Sequence, residues 1–430
     1  MPGVPSYRGC EACRRQKKKC DQAKPSCSRC SRLDIACIGV GKQRFKFKDH
    51  SAAFIVVDKR VTRRPTISLT SRKGDPPRAP SSNISITVGM LVSVLEVTDP
   101  GYDVFSFGSF IKEIPKRIGH NPALDAAASA FASAVKGARS KQRSVESLRK
   151  YAISLQAVQN TINDPEKTYS AETLCAIYLI MVCHDWVVSK YDKYPNHGEA
   201  LSHLLKIMVD REPQDPFAIQ VMVTAGIAVI LENVFNPAIN VQPWIHKLAD
   251  LSQSSAANKR ADASPGINFN CLEVDKLGSI PELIYKPWEN IDRIQSLYES
   301  IWSVYPGIKH FGETVIVPAC VGPLSLLPLK LTRALTCFHA AQCLMISIGI
   351  AMNGFLRCVN PTDQPLADEC YELCTDAISL AERAKVQRPL AAGHIAMLIV
   401  VALLSSNDDD QQATLRRLMC EYEDDYAMMN

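Results

Sequence analysis

The sequence of 430 residues predicts an all-α fold in three parts, and three observations lead to that prediction. Six of the sixteen cysteines fall between Cys10 and Cys37 at a repeated spacing. The basic charge is concentrated near the N-terminus. In the rest of the chain, apolar residues recur at helical spacing and strand-type alternation is scarce. We therefore expect a small cysteine cluster over residues 6–50, a disordered basic linker over 51–85 and a large helical domain over 86–430.

The cysteine spacing is a single unit, C-x2-C-x6-C, used twice, so that each cysteine of the first half has a counterpart in the second. The six are Cys10, Cys13, Cys20, Cys27, Cys30 and Cys37. Tetrahedral zinc takes four ligands. Two zinc ions therefore need eight ligand places, and six cysteines fill them only if two thiolates bridge. Because the repeat makes the two halves equivalent, residues such as Cys10 and Cys27 are the expected bridges.

Two other interpretations of these cysteines stay open. Three disulfides would suit a small secreted domain, although the chain begins without the apolar segment of a signal peptide. One four-cysteine zinc site with two spare thiols would leave the repeat unexplained. A segment of about 36 residues buries too little apolar surface to fold without a disulfide or a bound metal, so we expect folding to depend on metal.

The charge of the chain is distributed unevenly. Residues 1–80 hold 20 lysines and arginines against 6 acidic residues, a formal +14, and the remainder carries −9. Five cations occupy six successive positions between Cys13 and Cys20, on or just after a predicted helix. This asymmetry indicates a nucleic-acid-binding arm attached to a globular body. A solvated surface or a nuclear-import signal is the alternative.

Residues 10–37, with Cys-Arg-Arg-Gln-Lys-Lys-Lys-Cys-Asp and Lys-Pro-Ser-Cys, resemble the fungal binuclear zinc cluster (Zn2Cys6) DNA-binding domain. The resemblance implies two short helix–loop units around two zinc ions, with the end of the first helix presented to the major groove. It also implies that a CGG-type triplet is read by a lysine four positions after the second cysteine, which is Lys17 here. Pro25 matches the family's proline between the two halves.

The same resemblance assigns roles to the basic residues around Lys17. Flanking cations would hold phosphates, which position the domain without reading sequence. Gln16 stands where many relatives have another basic residue. The residues predicted to contact DNA are Arg14, Arg15, Gln16, Lys17, Lys18, Lys19, Arg29 and Arg32.

The segment after the cluster is predicted to be a linker. Within residues 51–85, the stretch 58–83 combines proline, serine and charge without apolar periodicity, a composition that does not offset the entropy of ordering. Paired basic residues at 59–60 and 63–64 are a nuclear-import candidate. No leucine-zipper heptad is found between residues 38 and 100. We therefore expect dimerisation through the helical body, or binding as a monomer.

The body is predicted to be helical, with prolines and glycines between the helices. Asn121 is the expected N-cap of one helix and Pro122 its first residue. Two helices are apolar enough to raise the question of a membrane span, and the more hydrophobic, 334–356, is expected to be a buried bundle helix because polar residues interrupt it. The ten cysteines beyond Cys37 are expected to be reduced core residues. The predicted helices are 123–139, 146–161, 170–188, 197–209, 217–235, 291–304, 329–356, 366–384 and 391–404.

Parts of the body resemble the helical regulatory region that follows the cluster in many fungal regulators. The resembling segments are 108–115, 121–125 and 172–176. The resemblance implies a region that restrains activity, receives signals or dimerises, and in some members binds small effectors.

The sequence does not predict an enzyme, and no catalytic residue is assigned. The acidic runs at 408–410 and 424–425 lack D-D-x-x-D spacing, and phosphate-loop, nucleophile-elbow and dinucleotide motifs are absent. His184, His197 and His203 are expected to be isolated, with no partner at ligand spacing, and to be ordinary core or surface histidines. The prediction is a nuclear, sequence-specific transcription factor of the RNA polymerase II type. Its expected partners are double-stranded DNA and a coactivator or repressor, with no membrane.

Two alternatives remain at the level of function. The cluster could serve a module that binds RNA or protein without sequence-specific regulation.

The last residues, 421–430, interleave acids with tyrosines and have the composition of an acidic activation segment. Helical spacing of Leu415, Leu418 and Tyr422 instead predicts one more amphipathic helix over 414–426.

Overall fold

The computed structural model describes residues 9–38, 82–142, 144–187, 197–260, 272–320 and 326–427. Within these residues the chain is helical and contains no strand, which confirms the predicted all-α class. Most of the predicted linker and its nuclear-import candidates lie outside the described residues. The last residues of that predicted linker, from Asn83 onward, belong to a helix whose N-cap is Ser82.

Seventeen α-helices are found in the part of the chain that the structure describes. They are α1 (Glu11–Arg15), α2 (Ser28–Arg32), α3 (Asn83–Leu95), α4 (Pro122–Ser140), α5 (Val145–Ile162), α6 (Pro165–Thr168), α7 (Ala171–Val187), α8 (His197–Val209), α9 (Pro216–Asn233), α10 (Ile245–Arg260), α11 (Val274–Tyr285), α12 (Ile291–Phe311), α13 (Val317–Ala319), α14 (Leu329–Val359), α15 (Gln364–Ala384), α16 (Ile395–Ser405) and α17 (Asp409–Ala427). Short 3-10 helices cover 100–102, 104–107, 109–117, 287–289 and 385–387, and a π-helical turn covers 312–316.

The chain forms two compact units, residues 1–77 and 78–430. In the first, α1 and α2 have five residues each. Helices this short are not stable in water by themselves. The stability of the N-terminal unit therefore depends on the interactions that link its cysteines.

The second unit is a helical body organised around three long helices. The alanine-rich α4 packs against α3, α5 and α7, and its small side chains permit close approach. Helix α9 contacts α7, α8, α10 and α11. Helix α14 lies against α12, α15 and α16, while α17 covers α15 and α16. A continuous apolar core runs through these helices.

The capping signal predicted at Asn121 is confirmed, and α7 has a similar cap. The Asn121 side-chain oxygen accepts hydrogen bonds from the backbone N–H groups of Ala123 and Leu124, and Pro122 begins α4. Ser170 accepts from the N–H of Thr173 at the start of α7. These bonds satisfy N–H groups that have no partner within the helix.

The prediction that prolines and glycines fall between helices is wrong at several positions. Pro281 lies inside α11, and Pro306 lies inside α12, which continues to Phe311 instead of ending at 304. An interior proline costs a helix about 3 kcal/mol. In α12 the burial of Tyr305 and Ile308 on either side of Pro306 offsets that cost.

A glycine inside α9 marks a close approach between helices. An added Cβ at Gly226 would collide with the Leu248 side chain of α10. The absence of a side chain at this position therefore lets α10 lie directly against α9.

Two helices are long and apolar enough to cross a membrane by length and composition alone, α9 and α14. In the structure, 72% of the apolar window of α14 and 50% of that of α9 are buried inside the protein. For α14 this agrees with the prediction of a buried bundle helix.

The described cysteines of the body differ in their exposure. Five are buried, as predicted: Cys175, Cys183, Cys343, Cys370 and Cys374. Cys320 is half-buried, whereas Cys337, Cys358 and Cys420 are exposed. The prediction of core cysteines is therefore wrong for the exposed three. They occupy surface-facing positions of their helices, which cysteine composition alone does not reveal.

Three histidines make the stability of the body sensitive to acid. Burial lowers the pKa of His197, His339 and His394 to about 4, against about 6.5 for an ordinary histidine. As pH falls, the unfolded chain therefore binds protons before the folded chain does. The contribution to stability is complete above about pH 6.5 and is lost between about pH 6.5 and pH 4.

We expect the urea midpoint of unfolding to decrease across that pH window, and to decrease less steeply in His339→Gln. Followed by circular dichroism, His120→Gln serves as the control because His120 is exposed. If His339→Gln and the unmodified protein have the same pH slope, the titration of His339 does not contribute.

Candidate metal centre and nucleic-acid interface

The two C-x2-C pairs lie at the starts of the two short helices. Cys27 is the N-cap of α2, and its sulfur accepts a hydrogen bond from the N–H of Cys30, 3.4 Å away. Cys10 immediately precedes α1, and Cys13 lies within it. All four of these residues are buried. Each pair therefore directs two sulfur atoms toward the inside of the N-terminal unit.

The sequence repeat is also a structural repeat. The N–H of Lys18 donates to the carbonyl of Cys13 at 2.9 Å, and the N–H of Ile35, its counterpart in the second half, donates to Cys30 at 3.0 Å. Lys17 and Asp34, which are also counterparts, both have left-handed backbones, with φ of 52° and 48°. Each short helix thus ends in the same way.

The third cysteine of each unit is held by a backbone donor from the first. The N–H of Cys10 lies 3.4 Å from Cys20 Sγ, and the N–H of Cys27 lies 3.3 Å from Cys37 Sγ. These hydrogen bonds lower the pKa of Cys20 and of Cys37. A lower pKa favours the thiolate, which is the form that binds metal.

The sulfur atoms form two overlapping groups of four, each with its members within 4.8 Å of one another. One group is Cys10, Cys13, Cys20 and Cys27, and the other is Cys10, Cys27, Cys30 and Cys37. Cys10 and Cys27 belong to both. Among the described residues, these are the groups able to hold a metal ion.

The distances between sulfurs fit tetrahedral zinc. Cys10 Sγ lies 3.7 Å from Cys27 Sγ and 3.5 Å from Cys30 Sγ, and Cys13 Sγ lies 3.8 Å from Cys27 Sγ. A zinc–sulfur bond of about 2.3 Å in tetrahedral geometry separates two sulfurs by about 3.8 Å. A disulfide would bring them to about 2.05 Å. The donor set and its spacing therefore suit zinc, and these cysteines are free of disulfides.

Asp21 is a structural residue of this centre that the sequence analysis did not identify. Its carboxylate accepts from the N–H of Ser28, at 3.2 and 3.1 Å, and from the Ser28 hydroxyl. Hydrogen bonding to Ser28 lowers the pKa of Asp21. The bonds link the loop after Cys20 to the first turn of α2. In the sequence, an acidic residue a few positions before a helix that begins with serine could have indicated this contact. The peptide bond before Pro25, in the same loop, is cis.

Most of the residues predicted to contact DNA are exposed around the end of α1. Gln16 and Lys17 follow α1 directly. The exposed members are Arg15, Gln16, Lys17, Lys18, Lys19 and Arg32. Arg29 is half-buried, and its guanidinium donates to the Gln16 side-chain oxygen at 2.6 Å. Only the backbone of Arg14 is described. The exposed cations therefore lie at or just after the end of α1, or on α2, the two helices that begin with the cysteine pairs.

Two of the three histidines expected to be isolated lie close together, although the groups able to hold a metal ion among the described residues contain no histidine. His184 and His197 are not isolated, because their ring centroids lie 6.0 Å apart. The Tyr151 hydroxyl lies 2.8 Å from His184 Nδ1. His203 is exposed. The pair comes from helices α7 and α8, so spacing along the chain could not reveal it.

Comparison with known proteins identifies the N-terminal unit. Residues 8–46 match the family described as the fungal Zn(2)-Cys(6) binuclear cluster domain, which binds two zinc ions and DNA. A Saccharomyces cerevisiae protein described as a peroxisome proliferation transcriptional regulator is 41% identical over 70 residues. That alignment covers 15% of this chain and 7% of the relative. No solved structure matches the chain. The N-terminal unit is therefore similar, over residues 8–46, to the fungal Zn(2)-Cys(6) binuclear cluster domain.

Proposed function

We propose that this protein is a nuclear, sequence-specific transcription factor that reads CGG-like triplets in the major groove. The observation that carries the proposal is the pair of sulfur groups sharing Cys10 and Cys27, with exposed cations directly after α1. The six cysteines are the zinc ligands in this proposal, and Cys10 and Cys27 are the bridges. Bound zinc supplies a fixed scaffold and no reaction step.

The charge of the N-terminal unit supports DNA as the partner. Residues 1–80 carry a formal +14, and two zinc ions with six thiolates add a formal charge of −2. Cations that neutralise phosphates release counterions, so binding falls steeply with salt. In this proposal Arg14, Arg15, Lys18, Lys19 and Arg32 contact phosphates and set the position of the domain.

Lys17 is the proposed base-reading residue. It follows α1 directly, is exposed, and has a left-handed backbone with φ of 52°. That conformation turns the chain just after the end of the helix. A lysine recognises guanine through its O6 and N7 acceptors.

The helical body is the proposed regulatory part, extending over residues 86–430. An open apolar groove of about 460 Å³ lies among α9, α11, α14, α16 and α17, and its lining residues Phe235 and Leu404 are exposed. The volume of this groove falls within the range of ligand pockets, which supports a body that responds to an effector. Dimerisation through the body and recruitment of a coactivator or repressor belong to the same proposal. We assign the chain no enzymatic activity.

Selection from random duplexes tests this function. The full chain and residues 1–50 are each loaded with zinc and used to select sequences. A shared CGG-containing consensus supports both the function and the domain division. A cluster that retains RNA or protein but selects no duplex consensus would instead favour the interaction-module alternative.

Lys17→Ala should weaken binding to the selected site by about 1–3 kcal/mol and reduce discrimination at its guanines. Alanine keeps the Cβ, so the backbone strain at this position is the same in both proteins. Lys19→Ala is the matched control, measured by fluorescence anisotropy over a range of salt concentrations. It should weaken binding to all sequences alike and lower the slope of the logarithm of affinity against the logarithm of salt concentration by about 0.9. An unchanged consensus in Lys17→Ala would exclude Lys17 as the reading residue.

A further inference from the structure

A side-chain contact connects the two halves of the zinc cluster at its exposed face. Arg29, on α2, donates from Nη2 to the Oε1 of Gln16, 2.6 Å away. Its Nη1 lies 4.0 Å from Cys13 Sγ in α1. Arg32, one turn further along α2, is exposed and makes neither contact. Arg29 is therefore engaged inside the unit, whereas Arg32 is available to solvent.

Electrostatics explains why Arg29 is held there. A guanidinium has five N–H donors and no acceptor. The cysteine sulfurs, as thiolates on two divalent ions, carry a net negative charge that attracts it. The short bond to Gln16 is a charge-assisted hydrogen bond, which is stronger than one between neutral groups. Arg29 thus fixes the orientation of the Gln16 amide.

That orientation changes what Gln16 can recognise. A free glutamine offers both a donor and an acceptor, and this combination suits the N6 amino group and N7 of adenine. Here Oε1 accepts from a cation, and its remaining lone pair lies beside a positive charge. The two Nε2 hydrogens remain available. The outward face of Gln16 therefore donates hydrogen bonds and does not favour accepting them.

We propose that Arg29 is a positioning residue that makes Gln16 a second base-reading side chain, selective for the acceptor edge of guanine over adenine. The inference rests on the proposed function, because it requires the end of α1 to face the major groove. Gln16 immediately precedes Lys17 in the chain. The position it reads therefore lies next to the bases read by Lys17.

The test uses the consensus position at which Gln16→Ala removes the base preference. The affinity of the full chain is measured for four duplexes, each with a different base pair at that position. The unmodified protein should prefer guanine to adenine there by about fivefold or more. Arg29→Ala should remove most of that preference, because the amide oxygen becomes free to accept from adenine. Arg29→Lys, which retains a cationic donor, should restore part of it. Arg32→Ala should lower binding to all sequences alike.

A second variant keeps the test decisive if Arg29→Ala fails to bind two zinc ions. Gln16→Glu retains an acceptor for Arg29 but loses both N–H donors, so it should also lose the guanine preference. The proposal is overturned if Arg29→Ala weakens all sequences equally and lowers the salt slope, as a phosphate contact would. It is equally overturned if Gln16→Glu keeps the preference. Failure of the unmodified protein to select any consensus would count against the proposed function itself.

Discussion

Replacing Cys10 or Cys27 with serine should remove both zinc ions from the chain and abolish specific DNA binding. Each of these sulfurs belongs to both groups of four, so losing either one leaves both groups with three cysteines. Helices α1 and α2 have five residues each and no independent stability. The free energy of binding structural zinc, about 10–16 kcal/mol in small zinc domains, is also their folding free energy. We therefore expect each variant to lose both zinc ions and the folded N-terminal unit completely.

Cys20→Ser and Cys37→Ser are the matched controls. Cys20 belongs to one sulfur group only, and Cys37 to the other. Each control should leave one complete group and retain one zinc ion under conditions in which the Cys10 and Cys27 variants retain none. Native mass spectrometry counts the bound ions directly, with two expected in the unmodified chain. Equal zinc loss in all four variants would show that Cys10 and Cys27 have no special role.

Replacing Tyr422 with alanine should destabilise the helical body by about 3–5 kcal/mol, the usual cost of deleting a buried aromatic side chain. Tyr422 is 2% exposed, and its hydroxyl donates to the carbonyl of Ala381 at 2.8 Å. The Arg388 guanidinium lies 4.8 Å from the ring centroid and also pairs with Asp425. These contacts connect the acidic end of α17 to the rest of the body.

The matched control is Glu423→Ala, because Glu423 is exposed and adjacent in sequence. It should change stability by less than about 0.5 kcal/mol. Urea denaturation followed by circular dichroism measures both variants. A change in Tyr422→Ala no larger than that of the control would mean that α17 does not pack on the body as described.

The same contacts bear on the two interpretations of the C-terminus. Helix α17 runs from Asp409 to Ala427, and Leu415, Leu418 and Tyr422 are buried along one face. The amphipathic-helix prediction is confirmed by this packing. Residues 405–430 fused to a foreign DNA-binding domain should therefore be inert in a transcription reporter. Transcription that depends on Tyr422 in such a fusion would restore the activation-segment interpretation.

Features that depend on neighbouring residues could be predicted from the sequence. The cysteine repeat predicts two zinc ions because ligand spacing within a turn or a loop is a local property. The Asn121–Pro122 cap predicts the start of α4 for the same reason. Helical periodicity likewise locates α8, whose bounds of 197 and 209 agree with the prediction. Burial of one helix face imposes that period wherever the helix packs.

Other features were decided only by tertiary structure. Helix α12 continues through Pro306 because its neighbours offer burial on both sides, and this information is absent from the local sequence. His184 and His197 meet across two helices. The contact between Arg29 and Gln16 joins the two halves of the cluster. Such contacts are set by the packing of segments distant in the chain. The sequence by itself therefore predicted the metal and many of the helices, because both depend on local spacing. The tertiary structure decided the contacts between distant segments, among them the one between Arg29 and Gln16.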